Sequence, residues 1–252
     1  MTKGSKSHDL FVKCIEKLSF IFLLMYNNTI NTKGNDNMTQ ENSIPKKQNL
    51  TAEVFNAITH GAAAVLSIVA IVLLVMKGFE AASPIAITAY IIYGASLFTL
   101  FLNSTLYHSF SFSKYKAIFQ KLDHGSIYLL IAGTYTPYLM ISIAGTFGYL
   151  LLALIWSLAI AGIVFEVIAT DKYPKLSTYM YLGLGWLGVI IIYPLYQTIE
   201  INGLFLLAFG GIVYSLGTIF YRMKANKWMH VIWHLFVMGG AFFMFISIYN
   251  YV

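Results

Sequence analysis

His230 and His234 stand four residues apart, the spacing that stacks two imidazoles on one helix face at the separation used for a shared metal ion. Ser104 and His108 repeat that spacing and put a hydroxyl one turn from a third imidazole. Three histidines from two helices, with one position left open, form the ligand set of a catalytic zinc. A bound water completes the tetrahedron, and its pKa falls to about 7. Asp123 could then hold or deprotonate that water. The zinc-protease motif is absent, because Val231, Ile232 and Trp233 separate the two histidines with no glutamate between them, so a base has to come from another helix. Zinc is inferred from ligand type, and other metals that favour imidazole satisfy the same inference. The one cysteine, Cys14, lies in the N-terminal segment, which leaves histidine and carboxylate as the available donors.

The elements that must position these residues are bilayer spans. Of the 252 residues, 58% are apolar and 10% are charged, whereas soluble chains carry about a quarter charged residues. Uninterrupted apolar stretches of roughly twenty residues signal membrane-spanning helices. Seven such stretches are expected, over 54–76, 84–107, 119–141, 147–169, 178–197, 204–221 and 228–249, so the predicted fold is an all-α, seven-transmembrane helix bundle covering 52–252. The links are short and rich in turn formers, such as Ser83-Pro84 and Asn202-Gly203. With no soluble domain inserted, any chemistry is built from the helices or their ends. Residues 1–51 read as a disordered or interfacial cytoplasmic leader. Its apolar stretch at 18–26 is too short to span, and starts of the protein at Met1 and at Met38 are both compatible with such a leader.

Lysine and arginine mark the cytoplasmic loops. Lys114, Lys116 and Lys121, then Lys172 and Lys175, then Arg222, Lys224 and Lys227 all fall on one face, which puts the N-terminus inside and Val252 outside. The net charge of +6 follows from this topology. With no interleaved aromatics, it gives no nucleic-acid surface.

Ionisable side chains within a span cost about 2.5–3.5 kcal/mol at its centre, so each is a functional candidate. His60, His108, His124, His230 and His234, with Asp123, Glu53 and Glu166, all fall toward the cytoplasmic ends of their spans. Glu53, Asn56 and His60 share one helical face and are expected to form a hydrogen-bonded network at the cytoplasmic mouth. Asp123 and His124 are about 100° apart on a helix. Asp123 is expected to point inward, with His124 in interhelical packing. Glu166, close to Asp171 and Lys172, is expected to be a helix-end residue that reaches the interface. Gly183-x-Gly185-x-x-Gly188 fits a dinucleotide fingerprint, but inside a span it reads as close helix packing. Pro137 is expected to kink the third span, with Thr134 or Thr136 available to a freed carbonyl.

Five motifs carry a family resemblance: Glu53-x-x-Asn56-x-x-Thr59-His60, Ser104-x-x-x-His108, Leu122-Asp123-His124-x-x-Ile127-Tyr128, Ala132-Gly133-Thr134-Tyr135-Thr136-Pro137 and His230-x-x-x-His234. In this order they resemble the bacterial hemolysin III proteins. Those belong with the progestin and adipoQ receptors, including the adiponectin receptors, in a superfamily that also takes in alkaline ceramidases. The match runs from about Ala52 to the end of the chain. The resemblance implies zinc held by His108, His230 and His234, Asp123 bonded to the zinc water and Ser104 close by, in a site that faces the cytoplasm. His60, Asn56, Glu53 and His124 are candidates to support those ligands from behind. The adiponectin receptors have a tyrosine where this chain has His124, which agrees with His124 not being a ligand.

The eukaryotic relatives have been linked to ceramide hydrolysis. The leading expectation is therefore a zinc-dependent, ceramidase-like hydrolase of a lipid amide or ester in the bacterial plasma membrane, with a membrane lipid entering from the inner leaflet. One alternative is a non-catalytic sensor or homeostasis protein for membrane lipid, with structural zinc. The other is a cytolytic pore, ranked last because pore-forming toxins need a soluble form that seven apolar spans do not permit.

Overall fold

The computed structural model describes residues 46–170, 172–223 and 225–252. Cys14, the apolar stretch at 18–26, Met38 and the rest of 1–45 lie outside the described residues, as do Asp171 and Lys224. Among the described residues every regular element is helical. They are α1 (Lys46–Glu80), α2 (Pro84–Ser109), α3 (Lys116–Pro137), α4 (Gly145–Ile168), α5 (Pro174–Trp186), α6 (Ile192–Thr198), α7 (Ile201–Arg222) and α8 (Trp228–Tyr251). A π-helical turn, Tyr138–Ile143, prolongs α3, and a 3₁₀ turn, Leu187–Ile191, joins α5 to α6 within one span. Among the described residues, seven helical stretches are long and apolar enough to cross a membrane. The first helix begins at Lys46, inside the stretch expected as leader. Hydropathy marks only the part of a helix that sits in hydrocarbon, whereas backbone hydrogen bonding continues past it.

Short links hold successive helices antiparallel. Before α2, the Ala86 N–H donates to the Ser83 hydroxyl at 3.2 Å, and Pro84 takes the first helical position, where its missing N–H costs nothing. Pro137 loosens its helix into the π-helical turn that follows. Neither nearby threonine answers the carbonyl that Pro137 frees, four residues back at Gly133. Thr134 bonds the Leu130 carbonyl at 2.8 Å and Thr136 the Ala132 carbonyl at 2.9 Å. The glycine triplet in the fifth span also departs from expectation. A Cβ on Gly183 or Gly185 would meet nothing within 4 Å, and only Gly188 lies against a neighbour, the Tyr135 hydroxyl. Gly183 and Gly185 face outward, so they do not mediate close packing.

The second, third and seventh spans are the most deeply packed. α1 lies along α2 and also meets α8, α2 packs on α3, α3 on α4, and α7 on α8. Small residues let these backbones approach, as at Gly162, whose Hα side faces the Tyr128 ring so closely that a Cβ would overlap it. At the end of the bundle away from the histidines, Tyr138 donates to Ser247 at 2.7 Å, and Ser247 donates to the Gly203 carbonyl at 2.7 Å. Lys77 closes that end by donating to two carbonyls in the last turn of α8, Tyr249 at 2.7 Å and Ile248, which also accepts from the Val252 N–H, at 3.3 Å.

Candidate metal centre

The deeply packed spans carry the polar residues. His108 sits in the last turn of α2, His230 and His234 in the first turns of α8, and Asp123 and His124 in the first turns of α3. α2 runs opposite to α3 and α8, so its end meets their beginnings at one depth.

His108, His230 and His234 each offer a ring nitrogen within 4.8 Å of the other two. The Nε2 atoms of His108 and His230 are 3.3 Å apart. His234 lies edge-on to His108, with ring centroids 4.8 Å apart, and at the same centroid distance from His230. Zinc–imidazole bonds of about 2.0–2.1 Å at tetrahedral angles put neighbouring nitrogens about 3.3–3.4 Å apart. The His108–His230 pair already has that spacing, so the donor set fits a tetrahedral cation. His108 and His234 are buried and His230 is partly exposed.

Asp123 and Ser104 stand next to this group. Ser104 is buried one turn before His108, and the half-buried Asp123 carboxylate lies beside the Ser104 hydroxyl, close to His108. Spacing alone does not reveal Tyr107 and Tyr221, which line the same region. The Tyr107 ring is 4.7 Å from that of His108, and Tyr221 is 6.0 Å from His230.

The shared face of Glu53, Asn56 and His60 does not give a shared network. Glu53 binds Nδ1 of His108 at 2.6 Å, and the Asn56 amide lies 3.4 Å from the same nitrogen. His60 instead stacks on His234, centroids 3.6 Å apart and planes 10° from parallel. Both its nitrogens are buried without a hydrogen-bond partner of good geometry among the described residues. That face of α1 meets α2 and α8 and does not close on itself.

His124 points to the α3–α4 seam, where Nδ1 lies 2.9 Å from Glu166. Glu166 is a correction to the sequence reading. It does not reach the interface but is 1% exposed, and it accepts from Ser177 at 2.6 Å and Tyr181 at 3.1 Å in addition to His124. Its nearness in sequence to a charged loop hid the fact that its face of α4 turns inward. Ser177 and Tyr181, four apart on α5, give the signal that could have found this cluster, since both put a hydroxyl on one face at the depth of Glu166.

Comparison with known proteins places the chain in a family. A family model described as Haemolysin-III related matches residues 48–245. "Hemolysin-3" of Bacillus cereus is 46% identical over 200 residues, covering 79% of this chain and 91% of that protein. The "Hemolysin-3 homolog" of Bacillus subtilis is also 46% identical, over 199 residues, 79% of this chain and 93% of the relative. The human "Monocyte to macrophage differentiation factor" is 31% identical over 172 residues, 66% of this chain and 71% of its own.

Proposed function

The chain belongs to the haemolysin III family of multi-pass bacterial membrane proteins, and on that premise we propose that it is a zinc-dependent hydrolase of a membrane lipid amide or ester, with its site at the inner leaflet. The observation that carries the proposal is the convergence of three imidazole nitrogens within 4.8 Å, at the ends of apolar spans. A carboxylate and a hydroxyl stand beside them.

His108, His230 and His234 would hold the ion, which when bound supplies Lewis acidity and an acidified water. Asp123 takes the proton from the attacking water, and its place near the cluster puts a carboxylate within reach of that water. The Ser104 hydroxyl steadies the developing oxyanion, as a preorganised donor in a site that excludes bulk water. The acyl chains of the substrate stay in the bilayer while its polar bond reaches the span ends. The lysine-rich loops on that side support an inward-facing site.

The test uses purified protein reconstituted into vesicles that contain ceramide, an acyl amide or phospholipid, loaded with zinc. Asp123→Asn is expected to lower turnover by about 10²–10⁴-fold, the range a general base supplies, while metal content stays at the wild-type level. Wild-type protein that turns over none of these lipids at any zinc loading would sink the hydrolase reading. Asp123→Asn protein with unchanged behaviour would favour an ion that only staples helices.

A further inference from the structure

Glu53 has no part in the chemistry above, yet it makes the closest polar contact to the three-histidine group, 2.6 Å from Nδ1 of His108. A neutral imidazole carries one proton, and a carboxylate can only accept. The proton therefore sits on Nδ1, and the lone pair falls on Nε2. That is the nitrogen aimed at His230 from 3.3 Å.

Asn56 adds to the same constraint. Its amide is 3.4 Å from Nδ1 of His108, and a protonated Nδ1 has no lone pair for an amide N–H to use. The amide oxygen is therefore the atom that faces the ring, and two acceptors from successive turns of α1 bracket one donor. Glu53 is half-buried and His108 is 2% exposed, so the ring has little room to turn over.

We propose that Glu53, seconded by Asn56, is a positioning residue for the metal. It holds His108 in the Nδ1–H form, so that Nε2 always presents its lone pair to the ion. This rests on the metal-binding reading of the cluster. A carboxylate behind a ligating histidine fixes the tautomer and raises the basicity of the coordinating nitrogen, and loss of such partners lowers metal affinity by about 10–100-fold.

The experiment measures zinc affinity of the purified full chain by competition with a chromophoric chelator, for wild type, Glu53→Ala, Glu53→Gln and His234→Ala. Thermal unfolding of each is followed in the same detergent. Glu53→Ala is expected to bind zinc about 10–100-fold more weakly than wild type. Glu53→Gln keeps an oxygen acceptor without the charge and is expected to fall between the two. Should Glu53→Ala fail to fold, Glu53→Gln carries the test alone, through reduced affinity at unchanged melting temperature. Glu53 variants that bind zinc as tightly as wild type, or that lose only thermal stability, would overturn the positioning role. Wild type and His234→Ala that are alike in binding no zinc would instead overturn the metal reading itself, so the two failures are told apart.

Discussion

Among the described residues, two part-buried histidine–glutamate pairs lie within this bundle, and they are built in opposite ways. In the pair of His108 with Glu53, the ring is 2% exposed and the carboxylate 21%. In the pair of His124 with Glu166, the ring is 14% exposed and the carboxylate 1%. Both use Nδ1, at 2.6 and 2.9 Å. The first carboxylate keeps contact with solvent and needs few donors, so it serves the ring, and the ring turns its other nitrogen toward two more histidines. The second carboxylate is sealed in, and His124, Ser177 and Tyr181 serve it by supplying the donors that a buried charge requires. The same two side chains thus present an imidazole in one place and stabilise a carboxylate in the other. What decides is which partner is buried.

The comparison breaks most visibly with alanine at one histidine of each region. His234→Ala removes a ligand nitrogen and is expected to abolish metal retention, whereas His124→Ala keeps its metal. Metal analysis of the two purified proteins reads the difference directly, and equal metal content in both would erase the distinction. A smaller effect is expected from Glu166→Ala, which leaves three donors without their acceptor. It should lower stability by about 1–3 kcal/mol in detergent unfolding, with zinc affinity unchanged. A marked fall in zinc affinity would mean that the two pairs act as one unit. The smallest effect belongs to Ser177→Ala, which takes one of those donors away. Single hydrogen bonds between membrane helices average about 0.6 kcal/mol, and a loss of that size is the expected result by the same unfolding measurement. A loss as large as that of Glu166→Ala would show that Ser177 organises the cluster and is more than one donor among three.

The helical fold and the gathering of three histidines that could hold a metal ion were legible for simple reasons. Apolar runs of bilayer length have one structural solution, and histidines are costly enough in lipid to stand out. The spacing of His230 and His234, and of Ser104 and His108, put each pair on one helix face. Spacing on one helix, however, says nothing about which neighbour that face meets. Glu53, Asn56 and His60 therefore read as partners of each other, when the first two serve His108 and the third stacks on His234. Hydropathy fails in a related way, because lipid-facing and core-facing sides of a span are both apolar. Nothing local told Glu166 that it faces inward, or Gly183 and Gly185 that they face out.

His108 and His230 are 122 residues apart in the chain and yet meet at 3.3 Å. At the usual pace of synthesis, about 5–20 residues per second, roughly 6–24 s pass between the ribosome making the first and making the second. During that interval the His108 ring has Glu53 and Asn56 of α1 beside it, but neither of its histidine partners on α8. The three ring nitrogens come together only after α8 inserts, so a chain that lacks α8 keeps a single histidine of the three and, on the proposed reading, has no site for the ion.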